Sequence, residues 1–127
     1  MNNNKYKILV IEDENNIKTF ITALLEASNF QAISAESCAG GLLMFNSHRP
    51  DLVILDLGLP DRDGTEFIRT IRKESSIPVI VLSARTDEKD KVDALDLGAN
   101  DYVTKPFGSA ELVARIRSSL RNARHTG

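Results

Sequence analysis

The sequence predicts an α/β fold in which a doubly wound parallel sheet of five strands is covered by five helices. Three short apolar runs, at residues 8–11, 52–55 and 79–82, are rich in β-branched residues and uninterrupted. Such runs are typical of strands buried on both faces of a parallel sheet. Between the runs, apolar residues recur at helical spacing. Because strands alternate with helices, we expect right-handed crossovers and helices on both faces of the sheet.

The elements can be placed in order along the chain. Strands are predicted at residues 8–11, 31–35, 52–55, 79–82 and 101–104. A helix follows each strand, marked by apolar residues at Ile17, Phe20, Ile21, Leu24 and Leu25; at Leu42, Leu43 and Phe45; at Phe67, Ile68 and Ile71; at Val92 and Leu95; and at Leu112, Val113, Ile116 and Leu120. Gly98 is well placed to end the fourth helix. The pattern fits the flavodoxin-like strand order 2-1-3-4-5.

Composition excludes several classes of protein. With 127 residues, 42% hydrophobic and 27% charged, the chain has enough apolar material for one domain. We place that domain at residues 1–122, followed by a polar tail or linker at 123–127. The net charge of −2 argues against a domain that grips nucleic acid by its backbone. A single cysteine, Cys38, excludes an internal disulfide and a cysteine-based zinc site. No membrane span or signal peptide is visible, so we expect a cytoplasmic protein.

Polar side chains stand at the ends of four predicted strands. Glu12 and Asp13 follow the first strand, Asp56 the third, Ser83 the fourth and Lys105 the fifth. In an open α/β sheet, ligands bind outside the carboxyl ends of the strands where the strand order reverses, here between strands one and three. We therefore expect Glu12 and Asp13 to face Asp56 across this point.

These residue types together indicate phosphoryl transfer. Three converging carboxylates repel one another, and Mg²⁺ suits a few carboxylates together with water and a phosphate oxygen. Lys105 adds an ammonium group suited to a phosphoryl oxygen, and Ser83 adds a hydroxyl donor. The set predicts an aspartyl phosphate formed on Asp56.

Taken singly, each residue has a simpler interpretation. Acids at residues 12–14 favour the N-terminus of a helix, and Lys105 before a proline is typical of a turn. Ser83 can simply end a strand, and Tyr102 on a half-buried strand is typical of packing. Asp56 is the exception, because an acid that ends an apolar strand is poorly solvated unless it is paired. The combination carries the prediction.

Four blocks of the sequence, in the same order as these strands, resemble a known family. They are IEDE at 11–14, DLVILDLGLPDRDG at 51–64, PVIVLSAR at 78–85 and GANDYVTKPF at 98–107. The chain resembles a bacterial response-regulator receiver domain of the OmpR/PhoB class, in particular its potassium-transport regulators. The resemblance implies that Asp56 accepts a phosphoryl group from a sensor histidine kinase. It also implies Mg²⁺ bound by Asp13, Asp56 and the Gly58 carbonyl, with Glu12 acting directly or through water.

The resemblance implies a switch as well as a site. Lys105 would pair with Asp56 and then with the phosphoryl group, aided by a cis peptide before Pro106. Ser83 would move to bond a phosphoryl oxygen, and Tyr102 would turn into the space this opens.

The expected output is a two-fold dimer through the fourth helix, fifth strand and fifth helix. Lys91 would meet Glu111 of the partner, and Asp101 would meet Arg115 across the same face. Both signs are present on one chain, as an isologous interface requires. In a longer parent protein, the resemblance implies a C-terminal DNA-binding domain that controls transcription.

Two positions depart from the family pattern, and two others suggest a hypothesis. Glu12 replaces the more common aspartate. Asn100 stands where this class often has an acid at the dimer face, so we expect one intersubunit ion pair to be missing or neutral there. Gly58 lies two residues past Asp56, and Arg85 lies two residues past Ser83. Both positions flank the path that a hydrolytic water would take, so we expect them to set the lifetime of the phosphate on Asp56.

Other functions stay open at this point. A receiver-like scaffold that is never phosphorylated is opposed by the intact set of Asp13, Asp56, Ser83 and Lys105. A Mg²⁺-dependent phosphohydrolase of the haloacid-dehalogenase type needs an acid two residues past its nucleophile, where this chain has Gly58. A flavodoxin would need a phosphate loop rich in Ser/Thr and Gly, where this chain has Glu12, Asp13 and Glu14. We therefore expect a self-phosphorylating, slowly dephosphorylating protein and not a turnover enzyme.

Overall fold

The computed structural model describes the backbone of residues 5–126 and the side chains of residues 5–123. Strands and helices alternate throughout, as the sequence predicts. The strands are β1 (Lys7–Ile11), β2 (Gln31–Ala35), β3 (Leu52–Leu55), β4 (Val79–Ser83) and β5 (Asp101–Thr104). The helices are α1 (Asn15–Ala27), α2 (Cys38–His48), α3 (Thr65–Ile71), α4 (Glu88–Leu97) and α5 (Ser109–Thr126). In the described part of the chain, every helix is too short or too polar to cross a lipid bilayer.

All neighbouring strands are parallel, and their order is β2-β1-β3-β4-β5. The predicted fold class and strand order are therefore confirmed. The order reverses between β1 and β3, where Ile11 is in register with Leu55. The residues that follow these two strands consequently leave the sheet side by side.

Two apolar cores lie on opposite faces of the sheet. Because successive strand residues point to opposite faces, Leu9 and Ile11 join the core beneath α2, α3 and α4, while Ile8 and Val10 join the core beneath α1 and α5. The strands are buried on both sides, which explains why their sequences are continuous apolar runs.

The ends of α4 and α2 follow from the local sequence. Gly98 ends α4 in the left-handed region at φ 117°, as predicted. α2 begins at the buried Cys38, where Ser37 accepts a hydrogen bond from the backbone of Gly40 at 2.9 Å. The last helix continues to Thr126, past the predicted domain end at residue 122, while Gly127 lies outside the described residues.

Candidate functional site

The carboxyl ends of the parallel strands bring the predicted site residues to one edge of the sheet. Backbone hydrogen bonds continue past the strand ends: Glu12 N–H donates to Ala35 O and Asp56 N–H donates to Ile11 O, both at 3.0 Å. Lys105 N–H donates to Ser83 O at 2.9 Å. The loops that carry the site therefore leave the sheet in fixed positions.

Three carboxylates converge at the point where the strand order reverses. One oxygen each of Glu12, Asp13 and Asp56 lies within 4.8 Å of the others. Glu12 is buried with 2% exposure and Asp56 with 8%, whereas Asp13 is exposed. The prediction that these acids face one another across β1 and β3 agrees with this geometry.

Lys105 is the cation of this cluster. Its Nζ donates to Glu12 Oε1 at 3.0 Å and lies 3.6 Å from Asp56 Oδ2, and the peptide to Pro106 is cis. Lys105 therefore lies within ion-pair distance of Asp56, the partner implied by the resemblance, and makes a second, shorter contact to Glu12. The second oxygen of Glu12 accepts from the backbone N–H of Glu14 at 3.1 Å, so both oxygens of Glu12 are engaged.

The electrostatics of the cluster reflect an excess of negative charge. Burial, with the nearby charge of Asp56, raises the pKa of the Glu12 carboxyl against the lowering effect of Lys105. Burial acts to lower the pKa of Lys105, but its hydrogen bond to Glu12 and the charges of both acids outweigh burial and raise that pKa. The lysine is thus firmly protonated beside the phosphoacceptor candidate.

The donor set fits a hard divalent cation. Three carboxylates face one ammonium group, which leaves local negative charge to be balanced. Asp13 makes no ion pair with any residue that the structure describes, so its carboxylate is available. Carboxylate oxygens such as these are the ligands that Mg²⁺ prefers. Gly58 lies beside this set, and its N–H donates to Asp56 Oδ1 at 3.2 Å.

Ser83, Arg85 and Tyr102 form a connected unit beside the cluster. The buried Ser83 Oγ accepts from the backbone N–H of Arg85 at 3.0 Å. The Tyr102 hydroxyl donates to the backbone carbonyl of Arg85, also at 3.0 Å. A movement of Ser83 would therefore change the position of Tyr102 through their shared hydrogen-bond partner, the backbone of Arg85.

The loop between β3 and α3 contains two acids, Asp61 and Asp63, whose roles the sequence did not predict. Asp61 accepts hydrogen bonds from the first two backbone N–H groups of α2, at 2.9 and 3.0 Å. Asp63 Oδ2 lies 3.1 Å from Arg85 Nη2, and its Oδ1 accepts from the Thr65 backbone at 3.0 Å. Asp61 and α2, like Asp63 and Arg85, are more than twenty residues apart in the sequence, so these contacts could not be predicted from it. The aspartate–glycine pair at residues 63–64 is a sequence signal, but it predicts only a turn.

The residues of the predicted dimer face are already paired within one chain. Arg115 Nη1 lies 3.0 Å from Asp101 Oδ2, and Arg115 Nη2 lies 3.1 Å from Glu111 Oε2. Lys91 Nζ lies 6.0 Å from the centre of the Tyr102 ring. The Asp101–Arg115 pair expected between subunits is therefore found inside the chain.

Asn100, the second departure from the family pattern, has an internal partner. Its Oδ1 accepts from the backbone N–H of Val79 at 2.9 Å and from Arg72 Nη2 at 3.1 Å. Arg72 also donates to the carbonyl of Gly98 at 2.8 Å. The amide at position 100 thus joins the ends of α3 and α4 to the start of β4.

Comparison with known proteins gives one consistent result. Residues 8–117 match the family model of the response regulator receiver domain. The KDP operon transcriptional regulatory protein KdpE of Escherichia coli K12 is 54% identical over 114 residues, which cover 90% of this chain and 51% of that protein. The phosphate regulon transcriptional regulatory protein PhoB of the same strain is 43% identical over 118 residues, covering 91% and 52%. The chain spans about half the length of these relatives.

Solved structures give the same fold. The BeF3-activated N-terminal receiver domain of Klebsiella pneumoniae RstA has a TM-score of 0.87 and 30% identity, and the match covers 91% of this chain and 98% of that one. A CheY-like receiver domain from Methanospirillum hungatei JF-1 has a TM-score of 0.92 at 23% identity, covering 97% and 99%.

Proposed function

This chain belongs to the response regulator receiver domain family, and we propose that it takes a phosphoryl group from a sensor histidine kinase onto Asp56. The observation that carries this proposal is the position of Asp56. It is a buried carboxylate that directly follows the central strand β3, lies with two further acids and has Lys105 Nζ 3.6 Å away.

Each neighbour of Asp56 has a defined part in this proposal. Asp56 Oδ1 accepts from Gly58 N–H, which leaves Oδ2 as the oxygen closer to the lysine and the better placed nucleophile. Asp13, Asp56 and the Gly58 carbonyl would hold Mg²⁺, with Glu12 as a ligand or bound through water. The metal would balance charge on the transferring phosphoryl group. Lys105 stabilises the negative charge on the phosphoryl oxygens as the group is transferred to Asp56 and afterwards.

The output of the site passes through Ser83 and Tyr102. A phosphoryl oxygen offers the Ser83 hydroxyl a charged acceptor. When Ser83 moves toward it, Ser83 Oγ no longer accepts the hydrogen bond from Arg85 N–H. Tyr102, which shares Arg85 as a partner, then changes its packing on the β5 face. Phosphorylation thereby alters the α4-β5-α5 surface, where the described side chains of Val92 and Leu95 are each 45% exposed.

We assign this surface to a phosphorylation-dependent homodimer. In it, Arg115 and Asp101 exchange their partners within the chain for equivalent partners across the two-fold axis. The KdpE and PhoB relatives are both named as transcriptional regulatory proteins, which supports a role in transcription for a longer parent protein. The resemblance to the potassium-transport regulators further implies that DNA is bound by a separate domain and that potassium-transport genes are the targets. A cytoplasmic location follows from the same assignment.

The proposal is tested by phosphorylation with acetyl phosphate, with and without Mg²⁺, read by intact mass and by size in solution. We expect a gain of one phosphoryl group that requires Mg²⁺ and is accompanied by dimerisation. No gain under any condition would contradict the proposal and favour an unphosphorylated interaction scaffold.

The metal ligands are tested by a matched pair of substitutions. Asp13→Asn removes a carboxylate of the cluster, so we expect Mg²⁺ to bind at least about tenfold more weakly and phosphorylation to slow accordingly. Glu14→Gln changes the next acid, an exposed side chain outside the cluster, and should behave as the wild type. Equal Mg²⁺ affinity in the two variants, measured by calorimetry, would remove Asp13 from the site.

A further inference from the structure

The Arg85 side chain lies at the rim of the phosphorylation site and is held there by Asp63. Its Nη2 is 3.1 Å from Asp63 Oδ2 and makes a longer contact of 3.5 Å to the carbonyl of Leu57, the residue that follows Asp56. Within the described residues Arg85 makes no ion pair with Asp56 itself. The guanidinium is therefore next to the phosphoacceptor but engaged elsewhere.

Asp63 is well fixed to hold this cation. Its backbone forms an isolated antiparallel bridge with Gly58, so the loop folds back beside the phosphoacceptor. Its Oδ1 accepts from both the backbone N–H and the hydroxyl of Thr65, at 3.0 and 2.9 Å, at the start of α3. One oxygen thus caps the helix while the other holds Arg85.

The space on the Cβ side of Gly58, next to the phosphoacceptor, is open. A side-chain carbon placed on Gly58 would meet only Asp56 Oδ1, at 4.0 Å. Water can therefore approach a phosphoryl group on Asp56 from the side of Gly58.

From this geometry, and resting on the proposed function, we infer that Asp63 is a positioning residue that limits the lifetime of the aspartyl phosphate by keeping Arg85 away from it. Hydrolysis is the attack of a water oxygen on phosphorus. The bond from phosphorus to the Asp56 oxygen breaks, the carboxylate leaves with its electron pair, and both protons of the water remain on the phosphate released. A phosphoryl group carries about two negative charges and competes with Asp63 for Arg85. Without the charge on Asp63, Arg85 pairs with the phosphoryl oxygens and covers the approach of water.

The test separates the charge of Asp63 from its capping role. Asp63→Asn keeps a good helix cap and loses the ion pair, whereas Asp63→Glu keeps the charge and weakens the cap. Asp61→Asn is the matched control, because Asp61 lies in the same loop and caps α2 without contacting Arg85. Each protein is phosphorylated with acetyl phosphate and Mg²⁺, the donor is removed, and the decay is followed by intact mass.

We expect the phosphoryl group on Asp63→Asn to last longer by roughly threefold, since a partly exposed ion pair is a weak restraint. Asp63→Glu and Asp61→Asn should decay as the wild type does, and Asp63→Asn should have no effect in an Arg85→Ala background. An unchanged or shorter lifetime in Asp63→Asn, or a longer one that persists without Arg85, would overturn the inference. If the wild type takes up no phosphoryl group, the proposed function itself fails and this inference fails with it.

Discussion

The Asp56→Asn protein is expected to gain no phosphoryl group from acetyl phosphate and to stay monomeric when the wild type dimerises. The amide removes the only nucleophile in the proposed mechanism, so the loss should be complete and not partial. Asn has nearly the same shape and can still accept from Gly58 N–H through its oxygen. The substitution also removes one of three converging negative charges, so the melting temperature should not fall.

Asp51→Asn is the control for that experiment. Asp51 precedes β3 just as Asp56 follows it, so the two acids flank the same strand at opposite edges of the sheet. Asp51 Oδ2 accepts from the backbone N–H of Lys7 at 2.8 Å, and an amide oxygen can do the same. Asp51→Asn should therefore be phosphorylated normally. A phosphoryl adduct on Asp56→Asn, at the wild-type rate, would place the acceptor elsewhere.

Gly64→Ala is expected to destabilise the protein and to slow its phosphorylation. A Cβ at this buried position would lie 2.6 Å from the carbonyl oxygen of Asp56 and 2.8 Å from Cα of Leu57. Both are backbone atoms of the segment that carries the phosphoacceptor, so the strain cannot be relieved by a side-chain rotation. Overpacking of this kind costs about 2–3 kcal/mol in free energy of unfolding. For a chain of this length, the melting temperature should fall by roughly 6–15 °C.

Gly108→Ala provides the comparison for the overpacked variant. A Cβ on Gly108 would meet only Glu111 Cβ, at an ordinary distance of 3.8 Å. Replacing a glycine that tolerates a side chain mainly restricts the unfolded chain, so stability should stay level or rise slightly. Thermal unfolding of the two variants side by side decides the point. If both melt at the wild-type temperature, the backbone at Gly64 has more freedom than the structure indicates.

Most of the fold could be predicted because local sequence and tertiary burial agree. The runs that became β1, β3 and β4 are buried on both faces, so every residue in them is apolar and their identity as strands is unambiguous. α2 was harder, because its residues 38–45 are apolar or small almost throughout and show little helical periodicity. Its start depends on Ser37 and on Asp61, and the latter lies more than twenty residues away.

The types of residue in the site could be predicted, but not which of them touch. Strand ends in a parallel sheet must share one edge, so Glu12, Asp56 and Lys105 were bound to lie near one another. That Lys105 lies closer to Glu12 than to Asp56 depends on differences of tenths of an ångström, which no sequence pattern encodes. The same holds for Arg115, whose partners Asp101 and Glu111 are available both within a chain and across a dimer.

The internal role of Asn100 could not be predicted because its two partners come from separate elements. From the sequence it was only a departure from an acidic position at the dimer face. In the fold, Asn100 Oδ1 accepts hydrogen bonds from Val79 N–H and from Arg72 Nη2. A neutral amide oxygen can accept both bonds without adding a negative charge. The expected loss of one intersubunit ion pair at this position stays a prediction.

The central claim, that Asp56 carries the phosphoryl group, is tested most directly on the unaltered chain. The phosphorylated protein is treated with borohydride, which reduces an acyl phosphate to an alcohol and so converts the modified aspartate into homoserine. Peptide mass analysis then locates that residue without relying on any variant. We predict homoserine at position 56 and at no other acid. Reduction at Asp13 or Glu12, or a phosphoryl adduct that leaves no reduced acid at all, would contradict the account.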